Sequence, residues 1–202
     1  MQNIRLTYSS VEMNQIRFMN ILKLLKRRGV IKDVDKMYKD NKPDSLINTI
    51  FKLKSDIDDT KIAINLISNT ITSIPKNSSI DDFLSQNVKT IKILCVPTIS
   101  KKIYKQVNVY PNSQVFELLN FDEDVPSKDF IHEQRILSEE EAELVKKQYK
   151  VKNLPKIQDC DFMARYYDAQ IGQIMEIQRS NINCGIGIAY RIVVPGKIEL
   201  FF

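Results

Sequence analysis

Asp59-Thr60-Lys61 spells an acidic-x-Lys pair, with Asp56 and Asp58 just before it. Metal-dependent nucleases use such residues because hard cations want clustered carboxylate oxygens and a neighbouring lysine orients the attacking water. The pair falls at the edge of a predicted turn, where aspartates serve the backbone instead. No glutamate occurs between Glu12 and Glu117 to complete an acidic cluster, so turn chemistry is favoured over hydrolysis. His132 is the sole histidine, and neither a Gly-x-Ser-x-Gly elbow nor a glycine-rich phosphate loop is present. Cys95, Cys160 and Cys184 lie too far apart to offer the paired ligands of a structural zinc. They are expected to be free thiols, buried or half-buried, in a reducing compartment. No catalytic residue, metal or cofactor is expected.

A different chemistry is offered by Pro97, Thr98, Ser100, Lys101 and Lys102. They follow an apolar run, residues 90–96, that reads as a buried strand, and they open a predicted helix over 99–106. Backbone N–H groups, hydroxyls and two lysines would converge there on an anion. The same residues also read as an ordinary strand-to-helix connection.

The elements that must position these groups follow from periodicity. Ser9 and Glu12 form a capping box for a helix running to Arg28, in which Val11, Phe18, Leu22 and Leu25 recur at three- and four-residue steps. Gly29 supplies its stop, and Lys26, Arg27 and Arg28 complement the dipole; the basic cluster reads as helix termination and solubility ahead of DNA contact. Strands are predicted over 49–53, 61–67 and 114–119, and a helix capped by Ser79 over 79–86. Strands alternating with helices indicate βαβ units and a mixed, partly parallel sheet.

The last third is denser. Ser138 and Glu141 form a second capping box, Glu139 to Glu141 occupy the first turn, and Glu143 to Lys147 is an i,i+4 pair. Leu144, Val145 and Tyr149 share the opposite face. Leu154-Pro155 fixes a turn, and Asp161 caps a short helix carrying Phe162, Met163, Tyr166 and Tyr167. Gly172 then opens a strand pair, 173–178 and 188–194, joined by a loop with Asn181, Asn183, Gly185 and Gly187.

Charge and glycine divide the chain in the same way. Residues 1–116 hold 19 Lys+Arg against 10 Asp+Glu and residues 117–202 hold 11 against 15, within a net charge of +5. Such asymmetry suggests a nucleic-acid-facing part and a protein-facing part. Four of the five glycines lie from Gly172 onward. The acidic stretch 121–129, with Pro126 inside it, is the expected junction between a domain over 1–130 and another over 131–202. No apolar run nears the roughly 18 residues that cross a bilayer, and the N-terminus lacks an apolar signal core; an intracellular protein without membrane contact is expected.

Leu154, Pro155, Ile157, Asp161, Ala164, Arg165, Tyr166, Gly172, Ile174, Ile177, Arg179, Gly185, Tyr190 and Arg191 together resemble the C-terminal assembly domain of the fifth subunit of eukaryotic and archaeal RNA polymerases. The pattern spans residues 136–194. The chain departs from it at Asp168, where the family usually has glycine, at Gln170-Ile171 in place of a basic pair, after Arg179, which lacks a following proline, and at Gln134 in place of histidine.

The resemblance implies an α/β jaw-like domain with a mixed sheet, nuclease-like but inactive, joined to a small α+β assembly domain. It implies docking on the largest polymerase subunit, other polymerase subunits as partners, and non-specific contact with downstream DNA near Pro97 to Lys102. Arg165, Tyr166, Arg179, Tyr190 and Arg191 are the assembly candidates, because arginine and tyrosine concentrate at interface hot spots, although Tyr166 and Tyr190 read equally as core. A nuclear location would follow for a cellular chain, and host cytoplasm and virion for a viral one. The richness in Ile, Lys and Asn suits an AT-rich genome such as that of a large DNA virus. A free-standing basic DNA-binding protein and a metal-dependent nuclease are the alternatives.

Overall fold

Ser9 and Glu12 exchange hydrogen bonds at the start of α1 (Ser10–Arg27), the serine hydroxyl accepting from Glu12 N at 3.3 Å and the carboxylate from Ser9 N at 2.7 Å. The apolar stripe closes as expected, with Phe18, Ile21, Leu22 and Leu25 fully buried. Gly29, at φ 71°, ends the helix: its own N–H bonds Lys26 O and that of Val30 bonds Leu25 O, both at 2.9 Å. This paired closure needs a left-handed residue, which favours glycine. The computed structural model of the chain describes residues 8–41, 49–129, 131–181 and 185–196, in two units, Met1–Asp124 and Val125–Phe202.

In the first unit β1 (Thr49–Lys54), β2 (Lys61–Leu66), β3 (Ile91–Val96) and β4 (Ser113–Glu117) lie in sequence order. β1 and β2 are antiparallel, and the pairings of β2 with β3 and β3 with β4 are parallel. This is the mixed sheet that the alternation of strands and helices predicts. Two helices, α3 (Ser79–Leu84) and α4 (Lys101–Val107), cover one face, where Phe83, Leu84, Ile103 and Val107 pack on Ala63, Leu94, Val96 and Val115. On the other face Phe18 of α1 stacks on Phe51 of β1 with ring centroids 4.2 Å apart, and Arg28 reaches Gln114 of β4 at 2.7 Å. With helices on both sides β2 and β3 bury nearly every residue, hence their unbroken apolar runs.

Several local expectations are corrected. α2 (Val34–Asn41) was not predicted: it is short and charged, its signals being Met37 buried against α1 and Asp33 accepting from Lys36 N at 3.0 Å. The α3 cap is Ser78 rather than Ser79, and the helix ends at Leu84, where Lys92 sends its ammonium to Leu84 O at 2.9 Å and Gln86 O at 3.3 Å. β4 stops at Glu117, after which Leu118–Phe121 forms a 3-10 helix. The basic end of α1 is not simply solvated. Arg27 grips Asp124 with two bonds of 2.6 and 3.0 Å, Lys23 approaches the same carboxylate at 3.4 Å, and Arg17 pairs with Asp122 at 2.7 Å. Asn20 donates to Phe121 O at 2.9 Å beside them. The first half of the acidic stretch is thus clasped to α1.

The second unit holds β5 (Glu133–Ile136), β6 (Lys156–Gln158), β7 (Ile174–Asn181) and β8 (Gly185–Val194) in the order β5-β7-β8-β6, with α5 (Glu139–Gln148) and α6 (Phe162–Tyr166). β5 and β6 were not predicted, being four and three residues long and existing only through pairing. β7 and β8 run further than expected, so Asn181, Gly185 and Gly187 are strand residues. Of the predicted loop Asn183 lies outside the described residues, as do Cys184 and positions 197–202. In α5 the partner of Glu143 is Lys146 at 2.8 Å rather than Lys147, and Leu144 is exposed while Ala142 and Val145 face the core.

Candidate partner-binding site

Alternation along β7 and β8 sends successive side chains to opposite faces. One face carries Ile174 and Ile192, packed with Leu137, Ala142, Val145 and Leu154 under α5. The other carries Met175 and Val193, packed with Ile157, Ala164 and Ala169 under α6. Each helix start is written locally. Ser138 and Glu141 close their capping box at 3.2 and 2.9 Å, and Asp161 accepts from Met163 N at 2.8 Å.

Arg135 of β5 joins these parts. It donates to both oxygens of Glu141 at 2.8 and 2.9 Å and to both oxygens of Glu176 at 3.1 Å. The Arg135 hydrogen bonds, followed by that from Ser138 N, hold the Glu141 carboxyl down at about 2. Glu176 is buried with its charge met by the guanidinium, an arrangement costly to break from one side only.

The five assembly candidates do not converge. Tyr166 is 2% exposed, with ring centroids 5.7 Å from Phe162 and 5.4 Å from Tyr167, so of its two readings the core one holds. Arg165 is half-buried on α6. Arg191 and Arg179 stand opposite Met175 and Gly187 on the α6 face of the sheet, the first half-buried and the second exposed. Tyr190 is on the α5 face, half-buried, its ring 6.3 Å from that of Tyr149.

Tyr190 leads to a feature that the sequence reading missed. A groove of about 490 Å³ runs beside β8, lined by Tyr149, Lys150, Leu154, Pro155, Ile188 and Tyr190 among others. Ile186 and Ile188 continue it along the strand, 68% and 56% exposed. The available signal was the isoleucine alternation of residues 186–192, which exceeds what one small helix can cover.

In the first unit the Pro97 to Lys102 segment is a strand-to-helix connection, and two of its polar groups are engaged within the fold. Ile99 N bonds the Glu117 carboxylate at 3.1 Å, while the Ser100 hydroxyl caps Ile103 N at 3.2 Å and donates to Thr72 O. Ile99 N and the Ser100 hydroxyl are thus committed within the fold. The exposed groups left are Thr98, Lys101 and Lys102, with Pro97 half-buried.

The aspartates of the acidic-x-Lys segment are engaged locally, two of them with the backbone. Asp59 sits at φ 61° and pairs with Lys54 at 2.8 Å, Asp58 accepts from Thr60 N and hydroxyl, and Asp56 accepts from Lys32 N and Asp33 N. Hydrogen bonds from these groups hold Asp56 and Asp58 below the usual carboxylate range. Among the described residues no three His, Cys, Asp or Glu side chains cluster to hold a metal, and no helix is long and apolar enough to cross a membrane. Cys95 and Cys160 are buried thiols outside any disulfide.

Residues 124–193 match the family described as RNA polymerase Rpb5, C-terminal domain. DNA-directed RNA polymerase subunit 5 of Acanthamoeba polyphaga mimivirus is 33% identical over 150 residues, 73% of this chain and 72% of that protein. Subunit Rpo5 of Methanosphaera stadtmanae is 38% identical over 72 residues, 35% of this chain and 94% of the archaeal one. Subunit RPABC1 of RNA polymerases I, II and III of Caenorhabditis elegans is 46% identical over 59 residues, only 28% of either chain.

Proposed function

The chain belongs to the subunit 5 family of DNA-directed RNA polymerases, and from that premise we propose that it is a non-catalytic subunit of a multisubunit polymerase. The observation that carries the proposal is the 150-residue similarity to the mimivirus subunit, which is about twice the length of the C-terminal match. The second unit docks on the largest subunit through surface groups that include Arg165, Arg179, Tyr190 and Arg191, with Tyr166 supporting them from the core. The first unit is the jaw, and Thr98, Lys101 and Lys102 beside Pro97 and Ser100 face the downstream duplex.

Contacts of this type position DNA without reading its sequence. A few lysine–phosphate contacts release counterions and make engagement salt-sensitive. The chain has no active site of its own: the engagement of Asp56 and Asp58 in turn and loop hydrogen bonds, and of Asp59 with Lys54, supports this. It works where its polymerase works, in the nucleus for a cellular chain and in host cytoplasm and virion for a viral one.

Affinity purification of the tagged chain from its native source tests the proposal, the expected result being a stoichiometric polymerase. The isolated chain should bind duplex DNA only in the non-specific range, about 10⁻⁴ to 10⁻⁶ M. Tight binding by the isolated chain without any polymerase would favour a free-standing DNA-binding protein. Mg²⁺-dependent cleavage lost on Asp59→Asn or Lys61→Ala would favour a nuclease.

A further inference from the structure

β8 has one side fully paired and the other largely bare. Val193 N bonds Gln173 O at 2.8 Å toward β7, whereas Ile192 N bonds Pro155 O at 2.9 Å toward β6. Even-numbered residues of β8 therefore turn their main-chain groups away from β7. The parallel pairing with β6 begins only at Ile192. Upstream of it Pro155 has no N–H to offer, and Val151–Asn153 turns off into a 3-10 helix. The outward N–H and C=O groups of Ile186, Ile188 and Tyr190 meet no strand among the described residues.

Such a row is a template for another strand, and stable proteins usually blunt it with charge, proline or a bulge. Here the side chains along the edge are Ile186 and Ile188, both more than half exposed, and Tyr190 opens into the groove with Tyr149 and Leu154. Lys150 lines the groove, and Lys152 and Lys156 flank its lining residues Asn153 to Pro155 in sequence. All three lysines are exposed and form no ion pair with any described residue, and the Glu176 carboxylate is consumed by Arg135.

We infer that this edge and groove take an extended, acidic and apolar segment of another polymerase subunit, which adds to the sheet as a fifth strand beside β8. The inference rests on the docking reading above and gives it a location and a partner chemistry. Main-chain bonds supply affinity, and alternate side chains of the segment enter the groove between Tyr149 and Tyr190. Its carboxylates meet Lys150, Lys152 and Lys156. A nucleic acid would find the lysines and tyrosines useful but has no use for a bare row of alternating N–H and C=O groups flanked by isoleucine. A second copy of this chain would bring a second set of the same lysines.

The test is residue-resolved hydrogen exchange on the full chain, free and assembled in its polymerase. Assembly should slow the amides of Ile186, Ile188 and Tyr190 at least tenfold and leave those of Gly187, Ala189 and Arg191, which face β7, unchanged. In a competition for assembly, the double variant Lys150→Glu, Lys156→Glu should lose to the wild-type chain at least tenfold, while Lys89→Glu on the first unit competes equally. Presence of the chain in the polymerase with the three edge amides unprotected overturns the inference and leaves the docking reading standing. Absence of the chain from the polymerase overturns both. A wild-type dimer in sedimentation with the same amides protected, or a single-stranded oligonucleotide whose binding vanishes in the double variant, assigns the groove to another occupant and overturns the inference.

Discussion

A methyl group added at Gly196 should loosen the end of the second unit. Its Cβ would stand 2.1 Å from Cys160 Sγ, 3.0 Å from Asp159 Oδ1 and 3.1 Å from Gln158 Cβ. Carbon contacts settle near 3.5–4.0 Å, so the sulfur must move by roughly 1.5 Å. Rotating the Cys160 side chain is its only local escape, and that residue is 8% exposed. Even then the two contacts on the other sides remain. Overpacking of this kind costs about 1–3 kcal/mol. A backbone shift that relieves it also strains the bond from Gly196 N to Asp159 Oδ1, now 2.7 Å, and hydrogen bonds to charged groups contribute about 1.5–3 kcal/mol. A loss of roughly 2.5–6 kcal/mol is expected for Gly196→Ala if both effects act in full. Because the chain has two units, the readout must report on the second alone: the rate at which the Cys160 thiol reacts with a disulfide reagent, with amide exchange along β8 beside it. Adding Cys160→Ala should recover part of the loss and no more, since Asp159 and Gln158 still crowd the new methyl. The reasoning is refuted if Gly196→Ala keeps Cys160 protected and β8 exchange at the wild-type rate, or if removing the sulfur restores nothing.

Lys92→Met should destabilise the first unit by about 1–3 kcal/mol at neutral pH, because buried carbonyls of Leu84 and Gln86 lose their donor. Burial lowers the Lys92 pKa below 10.5, so the unfolded chain binds the extra proton between the two values. Wild-type stability then rises relative to the variant as pH climbs toward 10.5, and urea titrations of both proteins across that range check the sign. Burial of Asp124 disfavours its charge, but the bonds and charge of Arg27 with Lys23 outweigh this and bring its pKa below 3.8. That contribution is present above pH 3.8 and is lost as pH falls below it, and Asp124→Asn should remove the acid sensitivity along with about 1–3 kcal/mol, measured by denaturation. Ser138→Ala should cost the second unit about 1 kcal/mol in thermal unfolding by removing the hydroxyl that accepts from Glu141 N, while Arg135 and the main-chain N–H at 138 go on holding the Glu141 carboxyl far below its ordinary value, which NMR titration of that side chain checks. Asp168→Gly should stabilise by up to about 1 kcal/mol in thermal unfolding, since a left-handed backbone at φ 58° is easier for glycine.

What could be read in advance followed from signals that are local and redundant. Both capping boxes and the glycine stop after α1 are short-range chemistry, and the buried runs of β2 and β3 are too apolar for any other use. Asp168 is instructive: the family resemblance marks it as a departure from glycine, and the left-handed backbone explains why glycine is preferred there. The misses are elements whose existence is tertiary. Four residues of β5 and three of β6 carry no period of their own, and α2 has one buried side chain to announce it. Among the candidate site residues, type alone could not separate Tyr166, closed in by Phe162 and Tyr167, from Tyr190, open to a groove. The groove itself depends on where β6 stops pairing, which is a matter of register. Around Pro97 to Lys102 the sequence could not show that a distant residue, Glu117, takes the Ile99 N–H from the end of the neighbouring strand.

The clasp at the end of the first unit has a mechanical consequence. Tension applied to the chain at Val125 does not peel β4 from the sheet one rung at a time. It falls on Asp124 and Asp122, whose carboxylates are gripped by Arg27 and Arg17 about three turns apart on the same helix. The Asp124 grip takes the load first and the Asp122 grip behind it, so α1 shields the strand from a pull on its C-terminal side.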